Sequence, residues 1–268
     1  MLDPHDVITS TTNEGVKYVR ALQRRREREN ERSFAVEGVR TVEEGIRAGH
    51  KPALLFHTLE VLDQPRAQAV VQQARQTTCT VRAVSEQVMA SMADTVSPSG
   101  ILAVFPICSL PIPDPLEWVL VADGLRDPGN MGTILRSAWA ARVQLVVTTA
   151  NTVDVYSPKV VRAAMGAHFR LSLLVDQPWN QIEEQVRGLR LLLAQPRLGT
   201  NYWEVDWRPP TVLLIGGEAE GASADAERLA SGLVNIPMDQ ATESLNAAVA
   251  ASILLFEAAR QRYYAGHH

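Results

Sequence analysis

The sequence predicts an α/β protein made of two successive domains. Short apolar runs alternate with segments of helical spacing along nearly the whole chain, and a proline cluster interrupts the alternation between Pro106 and Pro115. One late run, TVLLIGG at 211–217, is apolar without a break from Val212 to Ile215, as a parallel strand buried on both faces must be. The chain has 268 residues, 46% of them apolar, enough to fill one large or two modest cores.

The first domain is expected over 1–105. Val16 to Arg28 reads as a helix and Phe34–Glu37 as a short strand. Thr41–Ala48 is a helix stopped by Gly49, and Ala53–Phe56 is a strand. Arg66–Gln76 continues as a helix, Thr80–Ala83 as a strand, Glu86–Met92 as a short helix and Ile101–Phe105 as a strand. Pro106, Pro111, Pro113 and Pro115 then block both ladder bonding and helix continuation, so 106–117 reads as an extended linker.

The second domain is expected over 118–268. Strand WVLVAD (118–123) precedes the DPGN loop and a helix from Met131 to Ala141. Strand VQLVVTT follows, and Ser157-Pro158 is an N-cap and first-turn pair opening a helix through Ala164. Helix Trp179–Arg187 leads to strand LRLLLAQ, then come TVLLIGG, a strand near Leu233–Ile236 and a final helix over Ser244–Tyr263.

Three segments after strands have the composition of a site. In an open α/β sheet, ligands bind beyond the carboxyl ends of the strands. The first segment, Asn130 to Arg136, combines close-approach glycines with an amide and a cation. The second, GGEAEG (216–221), has exposed amide donors beside Glu218. The third, from Ile236 to Arg260, carries Ser244 and Asn246 ahead of an Ala-rich helix face. Taken singly, each also fits a capped helix start or a solvated turn. Neither GKS/GKT nor the G-x-G-x-x-G spacing is present, so a nucleotide-triphosphate or dinucleotide loop is not indicated.

The net charge of -4 gives no global positive field, so any nucleic-acid contact needs a local basic patch. One lies between Lys17 and Arg32, with Arg20, Arg24, Arg25, Arg26 and Arg28 among three glutamates, and Lys159 and Arg162 are candidates to extend it. Cys79 and Cys108 have no metal-like spacing and suit a reduced, cytoplasmic compartment, and no metal is expected. The N-terminal stretch lacks the charged and apolar regions of a signal peptide, and no apolar run is long enough to span a membrane. His267-His268 has the look of a tag remnant. The tryptophans read as core or interface residues, with Trp203 and Trp207 in a polar stretch suspected of surface contact.

NMGTILR, LLIGGEAEG and NIPMDQATESLNAAVAASI, in this order and spacing, resemble the three motifs of the SpoU (TrmH-like) RNA 2′-O-ribose methyltransferases of the SPOUT superfamily. The likeness covers about 118–263 strongly. VKYVRALQRRREREN with FAVEGVRTVEEGIRAG extends it to the family's ribosomal-protein-like α/β substrate-binding domain. One departure is Ala247-Ala248, where relatives often carry Val-Ser. The resemblance implies a parallel sheet with a deep trefoil knot, S-adenosylmethionine as cofactor, and a homodimer through the catalytic domain. It implies cofactor contacts at Gly216, Gly217, Ile236, Met238 and Leu245, and catalytic roles for Asn130, Arg136, Glu218, Ser244 and Asn246. Arg136 is expected to clamp a phosphate and stabilise a developing alkoxide rather than act as a base, because guanidinium stays protonated. Glu218 is expected to hold Arg136 or the cofactor side of the site. Lys17, Arg20, Arg24, Arg25, Arg28, Arg32 and Arg162 are expected to contact RNA. The implied substrate is rRNA of the 23S type in preference to tRNA, with a non-catalytic RNA-binding or assembly factor as the third reading.

Overall fold

The computed structural model describes residues 7–218 and 220–264; the first six residues, Ala219 and the chain end with His267 and His268 lie outside them. The chain packs as two units. One contains residues up to Cys108 together with Tyr156–Phe169, the other Ser109–Val155 together with Arg170 onward.

The first unit is a four-stranded sheet of β1 (Ser33–Glu37), β2 (Leu54–His57), β3 (Thr80–Ala83) and β4 (Ile101–Pro106), in the order β1-β4-β2-β3. Strand β4 runs antiparallel to both neighbours, and β2 and β3 are parallel. Two-residue periodicity divides the side chains between two cores. Phe34, Val36, Leu55, Ala103 and Phe105 pack on one face, and Phe56, Leu102 and Val104 on the other. Helices α1 (Glu14–Ala21), α2 (Arg25–Glu31), α3 (Val39–Arg47), α4 (Pro65–Arg75) and α5 (Glu86–Met92) complete it.

The helix expected over 16–28 is two helices. Val16, Val19 and Leu22 are buried, but the next four residues are exposed, so nothing apolar holds one face to the core and the chain turns. Arg28 then folds back, and its buried Nη1 donates to the carbonyl of Leu22 at 2.6 Å.

The second unit is a seven-stranded sheet whose paired strands are all parallel. It contains β5 (Trp118–Asp123), β6 (Leu145–Thr149), β7 (Ser172–Gln177), β8 (Arg190–Ala194), β9 (Thr200–Asn201), β10 (Thr211–Gly216) and β11 (Gly232–Asn235), in the order β7-β6-β5-β10-β8-β11-β9. Helices α6 (Pro128–Ala140), α8 (Trp179–Gln185), α9 (Ala224–Leu229) and α10 (Ala247–Tyr264) accompany it, and α6 and α10 pack side by side. The small face of α10 (Ala248, Ala251, Ala258) is buried with Leu254 and Leu255, and Ser137 and Ser252 share a hydrogen bond of 2.8 Å between α6 and α10. After β6 the chain returns to the first unit, where α7 (Pro158–Ala164) packs on β1 and Phe169 meets Phe105 edge to face with ring centroids 4.7 Å apart.

Several details depart from expectation. Helix α6 starts at Pro128, because Asp127 caps it by accepting from Asn130 N at 2.7 Å and proline suits the first turn. Helix α10 starts at Ala247 rather than Ser244, because Asn246 Oδ1 accepts from the Ala248 and Val249 amides at 2.9 and 3.2 Å. Strands β7 and β9 and helix α9 were not anticipated; β7 and β9 are edge strands, and β7 is only half-buried over most of its length. Trp207 is fully buried rather than a surface contact. Its Nε1 donates to the Tyr202 carbonyl at 2.9 Å and its ring meets Trp118 edge-on, whereas Trp203 is 51% exposed.

Candidate active site

The parallel sheet carries the carboxyl ends of β5, β10, β8 and β11 to one edge. Asp123 at the end of β5 is in register with Gly216 at the end of β10, so the turn after Asp123 and the loop after Gly216 lie side by side. A buried hub holds them together. Asp123 accepts from Thr149 Oγ1 at 3.0 Å and from Ser223 N at 2.7 Å, and the Gly124 amide donates to Thr149 and Thr152. A buried carboxylate is stable only when so bonded.

Along the same edge lies a cleft of about 540 Å³. Ala194 and Gln195 at the end of β8, Ile215 to Glu218 at and after the end of β10, and Ile236, Met238, Ser244, Leu245 and Asn246 after β11 form its walls, closed below by Ala250 and Leu254 of α10. A Cβ at Gly216 would stand 2.5 Å from the Ala222 amide nitrogen, and one at Gly217 2.5 Å from the Gly124 carbonyl oxygen, so both positions require glycine. Gly217 and Gly221 exchange backbone hydrogen bonds of 3.0 and 3.1 Å, closing the intervening loop on itself.

One wall is polar and directional. Asn246 Nδ2 donates to Asn130 Oδ1 at 2.8 Å, and Asn130 Nδ2 donates to Glu218 Oε1 at 2.7 Å. Glu218 Oε2 also accepts from the Arg126 amide at 3.3 Å. The carboxylate only accepts, which fixes both amide orientations. Asn130 keeps one N–H and one lone pair for a ligand. The three loops are thus joined by one residue from each.

The placement of the sequence candidates is uneven. Gly216, Gly217, Glu218, Ile236, Met238, Ser244, Leu245 and Asn246 all line the cleft, and Asn130 reaches its edge through Glu218 and Asn246. Arg136 does not join them; of the two roles expected of Glu218, holding Arg136 is not seen, and Glu218 lines the cleft and holds Asn130 instead. Six residues past Asn130, Arg136 lies about 120° around the helix, on the exposed face with Gly129, Thr133 and Ala140. Among the described residues it makes no hydrogen bond or ion pair. The wall at Ala194 and Gln195 was missed; its one signal was the end of an apolar strand, LRLLLAQ.

In the basic segment of the first unit, Arg20, Arg24, Arg26 and Arg32 are exposed, while Lys17 pairs with Glu14 at 2.9 Å and Arg25 with Glu29 at 2.7 Å. Arg28 is buried against Leu22, so its charge is spent on the fold, and the expectation that it contacts RNA is corrected. Arg162 pairs with Asp94 at 3.0 Å. Burial pushes the Cys79 thiol up to about 11, and burial lowers the pKa of His57. No helix among the described residues is long and apolar enough to cross a membrane.

A glycine-floored apolar cleft at the carboxyl edge of a parallel sheet, walled by two amides and a carboxylate, defines an α/β protein shaped for a nucleoside-bearing cofactor. The chain belongs to the SpoU rRNA methylase family, which it matches over residues 117–256, and residues 13–103 match the MRM3-like substrate binding domain. It is 34% identical to an uncharacterised tRNA/rRNA methyltransferase of Synechocystis, over 96% of this chain and 95% of the relative. It is 31% identical to the 23S rRNA (guanosine(2553)-2'-O)-methyltransferase RlmP of Bacillus subtilis, over 93% of this chain and 97% of that one. The AdoMet-bound rRNA methyltransferase of Sinorhizobium meliloti superposes with a TM-score of 0.83 at 32% identity, covering 94% of this chain and 97% of the other.

Proposed function

We propose that this protein transfers a methyl group from S-adenosylmethionine to a ribose 2′-OH of rRNA, acting as a cytoplasmic homodimer through its second, knotted unit. The observation that carries the reading is the Asn246–Asn130–Glu218 chain on the wall of the cleft. The cleft suits the cofactor. Gly216 and Gly217 leave no room for a Cβ, which lets the loop after β10 pack against Ala222 and Gly124, and Ile215, Ile236, Met238 and Leu245 offer the dry walls an adenine needs. When bound, the cofactor supplies an electrophilic methyl group on a sulfonium.

The chain's own residues position the acceptor. The free N–H and lone pair of Asn130 hold ribose hydroxyls, and Glu218 and Asn246 fix that amide before the ribose arrives. Arg136 lies on the exposed face of α6, and α10, which packs against α6, exposes Val249 at 49% and Phe256 at 52%. Such an apolar strip favours association with a second copy, and the guanidinium then serves the site formed there by clamping a phosphate and stabilising alkoxide charge. Arg20, Arg24 and Arg32 supply a surface for the RNA backbone.

The test uses the full chain, labelled S-adenosylmethionine, and rRNA and tRNA fractions from cells lacking the protein. Ribose-methylation-sensitive primer extension on rRNA should reveal one new stop. Label in tRNA alone would overturn the rRNA assignment, and no cofactor binding by calorimetry would overturn the enzyme. Phe256→Glu should shift the sedimentation coefficient to that of a monomer and abolish transfer; an active monomer would refute the dimer.

A further inference from the structure

A second cavity of about 420 Å³ lies beside the cofactor cleft, and Pro196 and Met238 line both. The segment from Ile236 to Leu245, which forms one wall of the cleft, therefore has open space behind it along Pro237 to Gln240. We propose that Arg197 is a positioning residue that holds this segment against the cleft and so sets the affinity for the cofactor. The proposal rests on the methyl-transfer reading and adds to it the residue on which one wall of the cofactor site depends.

The segment is fixed at both ends and loose between them. At its start, Asn235 ends β11, its carbonyl accepting from the Tyr202 amide at 2.9 Å and its Nδ2 donating to the Gly199 carbonyl at 2.7 Å. At its end, Asn246 donates to Asn130 and caps α10. Between these anchors no residue is buried: Ile236, Met238 and Leu245 are half-buried and the others exposed. The turn after Asp239 closes only on itself, the Thr242 amide donating to the Asp239 carbonyl at 3.0 Å and the Ala241 amide to Asp239 Oδ1 at 2.9 Å. Among the described residues, the hydrogen bonds that tie residues 236–245 to the rest of the chain all come from Arg197. Its Nη2 donates to the carbonyls of Gln240 and Thr242 at 3.2 and 3.3 Å.

Arg197 can hold the segment because its own backbone is pinned. Two residues before it, the Gln195 amide donates to the Val234 carbonyl at 2.9 Å. Two residues after it, Gly199 accepts from Asn235, and a Cβ at Gly199 would collide with the Leu233 carbonyl. The chain is thus pressed onto β11 on both sides of Arg197. Among the described residues the guanidinium makes no ion pair, so its charge is directed to the two carbonyls, and bonds from a charged donor outweigh neutral ones. Without them the segment has a cavity to relax into, and Met238 is free to leave the cleft wall. Asn130, Glu218 and Asn246 are bonded to one another and not to Arg197, so the step they serve is left alone.

The experiment compares the full wild-type chain with Arg197→Gln and Arg197→Lys. Calorimetry should show Arg197→Gln binding S-adenosylmethionine about tenfold more weakly, the worth of charge-assisted bonds at an exposed site. Steady-state transfer to rRNA should show KM for the cofactor raised by a similar factor with kcat unchanged. On cofactor-free protein, cleavage after Glu243 by a glutamate-specific protease follows the population of the released segment, and should be about tenfold faster in Arg197→Gln. Arg197→Lys keeps a charged donor on a long stem and should restore most of both properties. Unchanged cofactor affinity in Arg197→Gln overturns the proposal, and so does unchanged cleavage, whatever the affinity does. A fall in kcat at wild-type affinity would assign Arg197 to the RNA instead, and no recovery in Arg197→Lys would refute the hydrogen-bonding role. Each of these results leaves the methyl-transfer reading standing. Wild-type protein that binds no S-adenosylmethionine overturns that reading and the cofactor role of Arg197 together.

Discussion

Asn246→Asp changes a single group in the site, the amide that donates to Asn130 Oδ1 at 2.8 Å. The carboxylate that replaces it only accepts. Either two oxygens then face each other, or Asn130 turns its amide to donate to position 246 and presents its oxygen to Glu218 Oε1, losing the 2.7 Å bond there. Both outcomes forfeit one hydrogen bond and set like partial charges together. Because the site is open to water, the cost is about 2 kcal/mol of transition-state stabilisation, or roughly 30-fold in kcat/KM. Stability should move the other way. The remaining oxygen still caps α10 through the Ala248 and Val249 amides, and a negative charge favours a helix N-terminus by about 0.5 kcal/mol. Steady-state methyl transfer and thermal unfolding, measured on the same preparation, read the two effects separately. Full activity would refute the directional wall, and a loss of activity that tracks a fall in Tm would reduce Asn246 to a structural cap.

Gly217→Ala places a methyl group where the Gly124 carbonyl oxygen lies, 2.5 Å away, so the loop must shift; cofactor affinity by calorimetry should fall at least about tenfold while far-ultraviolet dichroism is unchanged. Desolvation lowers the pKa of buried His57 from 6.5, so the unfolded chain binds that proton first. Its contribution is present above pH 6.5 and lost as pH falls toward the lower folded value. Urea midpoints should therefore drop below pH 6.5, and His57→Gln should flatten that limb; a parallel drop in the variant would assign it elsewhere. Cys108 is exposed while Cys79 is pushed up to about 11, so a thiol-reactive disulfide reagent at pH 8 should label Cys108 fast and Cys79 only after denaturation.

The parts legible in the sequence were those with local causes. The helix opens at Pro158 as Ser157-Pro158 announces, although the Ser157 hydroxyl makes no capping bond, and TVLLIGG announces a central parallel strand because both its faces are buried. The cleft residues were legible because three segments after strands together resemble the SpoU motifs, although each alone also fits a capped helix start or a solvated turn. What failed depended on distant partners. Arg28 and its exposed neighbours Arg24 to Arg26 look alike in sequence; only the turn at Leu22 gives one of them a carbonyl to bury against. Trp203 and Trp207 share a polar stretch, and the difference between them is made by Trp118, far away in the chain. Strand β7 carries LSLLVD but is half-buried, so it lacks the continuous apolar signal of its neighbours.

The detour of the chain through Tyr156–Phe169 sets an order of events during synthesis. Phe34 is stacked by Tyr156, His168 and Phe169, with ring centroids 5.1, 5.8 and 5.8 Å away. The first unit therefore cannot close its core when the ribosome has released only the four strands of its sheet. It waits for a segment encoded beyond β5, α6 and β6 of the second unit. A nascent chain stopped at the proline cluster carries an uncovered aromatic face, and the first unit completes only after β6 of the second has been made.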